Sequence, residues 1–355
     1  MLTTVEERPV EVVALRAGPR WRLPHPVSAW NAVLVAAGVV AAWLLGWQQR
    51  WIADDGLIVL RTVRQLLVGN GPVFNAGERI EANTSTAWTA VLTVVGSVPG
   101  VSLEAAAVFV GLAFGAAGIG LGCDAARRLH STRVVLVPLG VVVVLALPPA
   151  RDFLTSGLET GLVTLWMAGT WWLLVVLARQ RRTGAVSWLA AVALGIGPLV
   201  RPDLGIFAIL GLLVLVATLR PGWQRLLGLA GAAAAVPVGY EIFRAGYYGL
   251  LVPASALAKE AARVRWQDGI AYLQDTVATY WLWLPVGCGL LVLAVLVGRR
   301  EDGRTGGPPS PSPSCPWSRG CSPRCTWCGW AVTSCTAGCC SRRSPRCCCR
   351  SSSYR

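Results

Sequence analysis

Two adjacent carboxylates, Asp54 and Asp55, follow an apolar run and are the first residues whose types and spacing could do chemistry. At a membrane–water interface, such a pair can accept a proton from a sugar hydroxyl as a general base, or bind a divalent cation through oxygen ligands. Acidic residues are also favoured in the first turn of a helix, and residues 55–68 have the pattern of an amphipathic helix. Both interpretations, a catalytic pair and a helix start, remain open at this point.

The composition places these carboxylates in a membrane protein. The chain has 355 residues, of which 54% are hydrophobic and 14% charged, whereas a soluble domain carries about 25% charged residues. Mean hydropathy is +0.54. These values exclude a soluble enzyme and predict an all-α polytopic integral membrane protein. The net charge of +14 is spread over short loops and the C-terminal tail, which is typical of membrane topology and not of a nucleic-acid-binding surface.

Apolar runs and loop charges together predict the topology. Basic residues before the first run indicate a cytoplasmic N-terminus over residues 1–27, and that run is interpreted as a retained anchor. The Arg-rich loops are assigned to the cytoplasm by the same rule, and the short stretch 86–98 is predicted not to cross the bilayer. The predicted spans are 27–47, 104–122, 134–147, 159–177, 187–200, 204–219, 226–243 and 280–298.

Four segments then face the outside, and most of the acidic residues before the tail lie at these external faces. The first of them, residues 48–103, is long enough to carry short amphipathic helices. It contains a polar loop over residues 73–85 that leads directly back to the membrane. The other external segments are 148–158, 201–203 and 244–279.

Motifs in these external segments occur in the order found in one class of membrane enzymes. Asp54-Asp55 is followed by Arg61, by the run from Val73 to Glu81, by Thr84-Ser85 and by Trp88. Shorter motifs follow at Gly157–Thr160, at Arg201–Asp203 and at 247–259, the last with Tyr-Tyr-Gly, a proline and Ala-Lys. This order resembles the GT-C membrane glycosyltransferases, and most closely the actinobacterial terminal beta-(1->2)-arabinofuranosyltransferase (AftB) family.

The resemblance implies a GT-C type transmembrane helix bundle of about eight spans, with the membrane domain over residues 28–298. Such enzymes move a sugar, here arabinofuranose, from a polyprenyl-phosphate donor to a cell-wall polysaccharide outside the plasma membrane. Asp54 or Asp55 would then be the catalytic base, or would hold a divalent cation, which is the one cofactor considered. The residues implied in binding the donor and substrate are Arg61, Glu78, Glu81, Glu159, Arg201 and Lys259.

Each binding residue also has an ordinary structural interpretation. Glu159 stands at the start of an apolar run, where a carboxylate caps a helix. Arg201 and Lys259, the only lysine in the chain, can pair with a lipid phosphate, or can simply be a helix-end charge and a loop charge.

Three other functions are weighed against arabinofuranosyl transfer. A transferase for another polyprenyl-phosphate sugar, such as mannose, has the same sequence pattern. A transporter of lipid-linked sugars would place charged residues at mid-span depth, whereas here they gather at one face. A non-catalytic membrane interaction protein is the third alternative.

The C-terminal tail differs in composition from the rest. Ten of the twelve cysteines lie between Cys315 and Cys349, yet repeated Pro-Ser and consecutive cysteines lack the spaced ligand pairs of a zinc site. If residues 325–341 are assigned GC-rich codons and the codons are then read from their third base, the shifted frame can encode a string that resembles the G-G-D-F-M element of the same family. The tail over 299–355 is therefore predicted to be a disordered product of a shifted reading frame, and the chain to be truncated and inactive.

Overall fold

A computed structural model describes residues 26–130, 135–180, 184–258 and 264–305. The predicted cytoplasmic N-terminus, apart from residues 26 and 27, and the predicted tail beyond residue 305 lie outside the described residues, as does Lys259. In the described part of the chain, helices and turns occur and strands do not. The helices are α1 Pro26–Gln48, α2 Asp54–Leu67, α3 Thr86–Gly96, α4 Leu103–Leu129, α5 Leu139–Ala146, α6 Pro148–Asp152, α7 Thr160–Gln180, α8 Ala185–Gly195, α9 Gly197–Val200, α10 Gly205–Leu219, α11 Trp223–Tyr248, α12 Ala254–Ala258, α13 Trp266–Thr279 and α14 Trp283–Thr305.

Several helices are long and apolar enough to cross a bilayer, which confirms an all-α polytopic membrane protein. Five segments in the described ranges meet this criterion alone, and a sixth does if the bent pair α13 and α14 counts as one span. The total of about eight spans stays a prediction. The five are Val27–Gln48, Leu103–Leu129, Thr160–Arg179, Pro202–Leu219 and Trp223–Tyr248.

Two predicted spans are shorter or broken in the structure. In the predicted span 134–147, the helix comprises only the eight residues of α5. In the predicted span 187–200, α8 ends at Gly195 and the separate turn α9 follows, with Pro198 in its first positions. Proline has no backbone N–H and its ring clashes with the preceding helical turn, so it kinks or breaks a helix, and here the helix is broken between α8 and α9.

The described residues form two compact units, one up to Pro285 and one from Val286 onward. In the first unit, α4 packs along α7 and α8 packs along α11. Glycines permit both close approaches: a Cβ added at Gly161 would collide with the carbonyl oxygen of Gly111, and one added at Gly195 with that of Ala233. Small residues at such crossings are typical of helix packing in membranes. In the second unit, the described residues are the helical residues 286–305 of α14.

The segment between α1 and α4, which the sequence predicts to be the first external loop, is itself folded. Helices α2 and α3 pack against the start of α4 through a buried apolar cluster that includes Val63, Trp88, Leu92 and Leu103. At 11 residues, α3 is about 16 Å long, which is roughly half the hydrocarbon thickness. Its length agrees with the expectation that residues 86–98 do not cross.

Candidate functional site

The Asp54–Asp55 pair forms the first turn of α2, at the end of an extended segment that leaves α1. Both side chains belong to exposed residues. The backbone N–H of Ala53 donates to the carbonyl oxygen of Ser156 at 2.8 Å, so the start of α2 is tied to the segment before α7. A Cβ added at Gly56 would lie 2.5 Å from the same Ser156 oxygen. Glycine at position 56 therefore permits the two segments to approach this closely.

The segment before α7 is held from its other side by Trp88 of α3. The indole N–H of this fully buried side chain donates to the carbonyl oxygen of Gly157 at 2.8 Å. Gly157 has a φ of +82°, in the left-handed region where glycine carries no steric cost. This turn aims the next residues, including Glu159, toward the start of α2.

Glu159 lies in a group of charged residues that also contains Asp55. Glu159 is 6% exposed, and its Oε1 lies 3.4 Å from Nη1 of Arg201. Nε of Arg201 donates to Oδ1 of Asp203 at 3.1 Å. Burial raises the pKa of the Glu159 carboxyl above its ordinary value of 4.5; Arg201 acts in the opposite sense, and the charges of Asp203 and Asp55 add to the rise. We call Asp54, Asp55, Glu159, Arg201 and Asp203 the acid–arginine cluster.

Three of the other predicted binding residues contact the protein itself. Arg61 donates through Nε to the carbonyl oxygen of Phe74 at 2.9 Å and through Nη2 to Oδ1 of Asn75 at 2.6 Å. Asn75 in turn donates to Oε2 of Glu78 at 3.2 Å. These contacts anchor the loop over residues 73–78 to α2.

Glu81 is buried in a different group of residues, formed with α11. It is 2% exposed, and it accepts hydrogen bonds from the Tyr240 hydroxyl at 2.6 Å and from Nε of Arg244 at 2.7 Å. Arg244 also pairs with Glu241 at 2.5 Å. We call Glu81, Tyr240 and Arg244 the Glu81 clamp.

Further contacts extend this attachment between the first external loop and the end of α11. The Tyr248 hydroxyl donates to the carbonyl oxygen of Pro72 at 2.5 Å, and the Arg79 guanidinium lies 5.1 Å from the ring centre of Tyr247. The backbone N–H of Ala254 donates to the carbonyl oxygen of Glu81 at 3.1 Å. Two of the sequence motifs, the run 73–81 and the Tyr-Tyr-Gly element, are thus in direct contact.

Sequence reasoning missed Tyr240 and Arg244. The available signal was the pair of charges Glu241 and Arg244, spaced three residues apart in an otherwise apolar run, because charges in such a run usually have a partner inside the protein.

A cation site was a further expectation from sequence. Within the described ranges, no group of three or more His, Cys, Asp or Glu side chains comes together in a way that could hold a metal ion. The Asp54–Asp55 pair alone does not provide the six to eight oxygen ligands of a calcium site. These residues therefore do not form a cation cage of their own.

Two curated proteins are similar to most of this chain. The terminal beta-(1->2)-arabinofuranosyltransferase of Mycobacterium tuberculosis is 45% identical over an alignment of 282 residues that covers 77% of this chain and 44% of the relative. The protein of the same name from Corynebacterium glutamicum is 43% identical over an alignment of 297 residues that covers 78% of this chain and 42% of the relative. The chain thus spans less than half the length of the curated relatives it matches. No family model and no solved structure matches.

Proposed function

We propose that the chain is a membrane glycosyltransferase of the terminal beta-(1->2)-arabinofuranosyltransferase family, whose two curated members it matches at 43–45% identity. It transfers arabinofuranose from a polyprenyl-phosphate donor to a cell-envelope glycan at the outer face of the plasma membrane. The observation that carries the proposal is the acid–arginine cluster, where carboxylates and a guanidinium meet beside the ends of apolar helices.

The cluster supplies the groups that sugar transfer needs. A carboxylate of the Asp54–Asp55 pair accepts the proton of an acceptor hydroxyl as that oxygen bonds to the anomeric carbon of the donor sugar. The bond between the anomeric carbon and the phosphate oxygen breaks, and polyprenyl phosphate leaves with the bonding electrons. Arg201 faces the phosphate and stabilises the charge that develops on it.

The other predicted residues have supporting roles in this proposal. Lys259 adds a second cation for the donor phosphate. Glu159 shapes the sugar site, and its carboxyl, with a raised pKa, can donate a hydrogen bond when it is protonated. Arg61, Glu78 and Glu81 act as positioning residues, because their side chains contact the loop over 73–78 and α11.

The test is to replace the carboxylates without changing their shape. We expect Asp55→Asn or Asp54→Asn to lower the rate of transfer by about 10²–10⁴-fold, because loss of a general base costs this much. Transfer from a polyprenyl-phosphate arabinofuranose donor to an oligosaccharide acceptor is measured in membranes, for the chain as it stands and for a version with the restored reading frame. A mannose donor in parallel tests the choice of sugar.

Asp268→Asn is the matched control, because Asp268 is 71% exposed and pairs only loosely with Arg265, at 3.7 Å. It should leave transfer unchanged. Near-normal turnover in both cluster variants, with the protein correctly inserted, would show that the aspartate pair is only a helix start.

The proposed orientation has the N-terminus in the cytoplasm and the acid–arginine cluster outside. Its support is the distribution of Arg in the loops. Single cysteines at positions 55 and 159, in a chain in which all twelve native cysteines are replaced, should react with a membrane-impermeant reagent added from outside. Reaction only after the membrane is permeabilised would show that the topology is the reverse of the one proposed.

The proposed frame shift accounts for the change of composition near residue 300. It is supported by the ten cysteines between Cys315 and Cys349 and by the string that residues 325–341 permit in a shifted frame. Resequencing of codons 295–320 tests it: a verified gene without a second frame that encodes the G-G-D-F-M element would contradict it.

A further inference from the structure

A cleft of about 390 Å³ opens at the end of α1. In the sequence, its residues 48–51 come shortly before the acid–arginine cluster's first members, Asp54 and Asp55. Its floor and walls come from the segment that leaves α1 and from the end of α6. None of these side chains has a role in the proposed transfer. The lining residues are Gln48, Gln49, Arg50, Trp51, Asp152 and Phe153.

Two aromatic rings form a corner in this cleft. Trp51 and Phe153 are 42% and 37% exposed, with ring centres 5.4 Å apart and planes at 85°. The indole N–H of Trp51 donates to the carbonyl oxygen of Asp152 at 3.0 Å, so the ring is fixed to the protein and not anchored by a lipid headgroup. An amphipathic ring held in this way offers a rigid surface to a ligand that is apolar on one face and polar at its edges.

Polar groups surround the aromatic corner. Gln48 and Gln49 are exposed and carry amides that both donate and accept hydrogen bonds. The Asp152 side chain is 31% exposed, and its Oδ1 lies 3.4 Å from Nε of Arg151. A few polar groups that converge on apolar surface are typical of small-molecule sites.

The charges of the cleft favour a neutral ligand over a phosphate. Arg50 stacks over the Trp47 ring at 4.6 Å and donates to the Trp47 carbonyl oxygen at 3.2 Å, so its guanidinium is directed toward α1. The Asp152 carboxylate is paired with Arg151, and it can accept hydrogen bonds from hydroxyl groups. A sugar combines neutrality, hydroxyl groups and apolar C–H faces, and it matches all three properties of the cleft.

We propose that this cleft binds the acceptor glycan, with one sugar ring stacked on Trp51 and its hydroxyl groups bonded to Gln48, Gln49 and Asp152. The inference rests on the proposed function and names the acceptor subsite of that enzyme. Trp51 precedes Asp54 by three residues, which limits their separation to about 11 Å. A short oligosaccharide on Trp51 therefore reaches the aspartate that accepts its proton.

The test measures binding of an oligosaccharide of six arabinofuranose residues to the purified 355-residue chain in detergent. We expect Trp51→Ala to weaken binding by at least about ten-fold, and Gln49→Ala to weaken it less. Trp51→Phe keeps a ring and should retain most of the affinity. Trp266→Ala is the matched control, because Trp266 is 78% exposed and lies at the start of α13; it should bind normally.

Two results would overturn the inference. One is unchanged binding in Trp51→Ala and Gln49→Ala when melting shows both to be folded. The other is polyprenyl phosphate without a sugar competing for the cleft in a Trp51-dependent way, which would make the cleft a lipid-phosphate site.

Catalysis separates this inference from the proposed function. In a frame-restored enzyme, Trp51→Ala should raise the KM for the acceptor with kcat little changed, whereas Asp55→Asn should lower kcat. If no sugar is transferred by any version, the proposed function fails, and the binding measurement still decides what the cleft holds.

Discussion

Glu81 and Glu159 are both buried glutamates, 2% and 6% exposed, but their partners differ. In the Glu81 clamp, the carboxylate accepts hydrogen bonds from Tyr240 and Arg244 at 2.6 and 2.7 Å. In the acid–arginine cluster, Glu159 lies 3.4 Å from Arg201, which is 46% exposed and also pairs with Asp203. Glu81 has hydrogen-bond partners on both carboxylate oxygens, whereas Glu159 pairs with a half-exposed guanidinium at a longer distance.

The difference separates a structural role from a chemical one. A buried charge with full hydrogen bonding fixes geometry, and removing one partner is costly. A buried carboxyl with weak pairing and a raised pKa is typical of a functional site. The comparison therefore supports the clamp as the part that positions the external loop and the cluster as the part that acts on substrate.

The largest expected effect comes from breaking the clamp. Glu81→Gln leaves the Arg244 guanidinium, 11% exposed, without its buried counter-charge, and we expect a loss of about 3–5 kcal/mol in the free energy of unfolding. Unfolding in a detergent–SDS titration measures it. If the variant does not fold, Tyr240→Phe removes one hydrogen bond to the same carboxylate and should cost about 1.5–3 kcal/mol.

Glu104→Gln is the matched control for the clamp. Glu104 pairs with Arg64 at 3.3 Å, but these side chains are 48% and 64% exposed, and an exposed pair contributes about 0–1 kcal/mol. Equal losses of unfolding free energy in Glu81→Gln and Glu104→Gln would show that burial does not distinguish the two pairs. That result would contradict the structural role of the clamp.

A smaller loss of stability is expected from a change at Gly56, where the start of α2 meets the segment before Glu159. In Gly56→Ala, the new Cβ would lie 2.5 Å from the Ser156 carbonyl oxygen and 3.1 Å from Cα of Gly157, so the segment before Glu159 must move. Overpacking of this kind costs about 1–3 kcal/mol, and the rate of transfer in the frame-restored enzyme should fall as well. Unfolding and transfer assays measure the two effects.

Gly231→Ala provides the comparison for Gly56→Ala. Gly231 is in α11 with no atom within 4 Å of an added Cβ, and alanine is the better helix former. It should not lose stability. A Gly56→Ala protein that keeps both its stability and its transfer rate would show that the close contact at Ser156 is not needed.

The sequence predicted the local parts of this arrangement better than the distant ones. The all-α membrane fold is confirmed, and the family suggested by the motifs agrees with the two curated relatives at 43–45% identity. The common external side in the predicted topology suggested that Glu159 and Arg201 belong to one site. The clamp could not be predicted, because Glu81 and Arg244 are 163 residues apart and no local pattern encodes their contact. The break before Pro198 was readable from residue type, but hydropathy alone merged α8 and α9 into one predicted span.

The smallest expected effect is the pH dependence of the cluster, tested with Glu159→Gln. The pKa of Glu159 is raised in the folded protein, first by burial. Its contribution to stability is therefore fully present below the ordinary pKa of 4.5 and is lost as the pH rises through the raised value. Glutamine cannot ionise, so the stability of Glu159→Gln relative to the unmodified protein should increase from acid to neutral pH.

Melting temperatures of the two proteins between pH 4 and pH 8 measure this difference, and all other titrating groups are common to both. Arg201→Gln sharpens the test, because it removes the guanidinium that opposes the rise in the pKa of Glu159. When Glu159→Gln is added to a protein that already carries Arg201→Gln, the difference in melting temperature should therefore be larger. The opposite sign, with Glu159→Gln progressively less stable as the pH rises, would mean that Glu159 is stabilised by its ion pair with Arg201. Glu159 would then resemble Glu81, and the contrast between cluster and clamp would no longer hold.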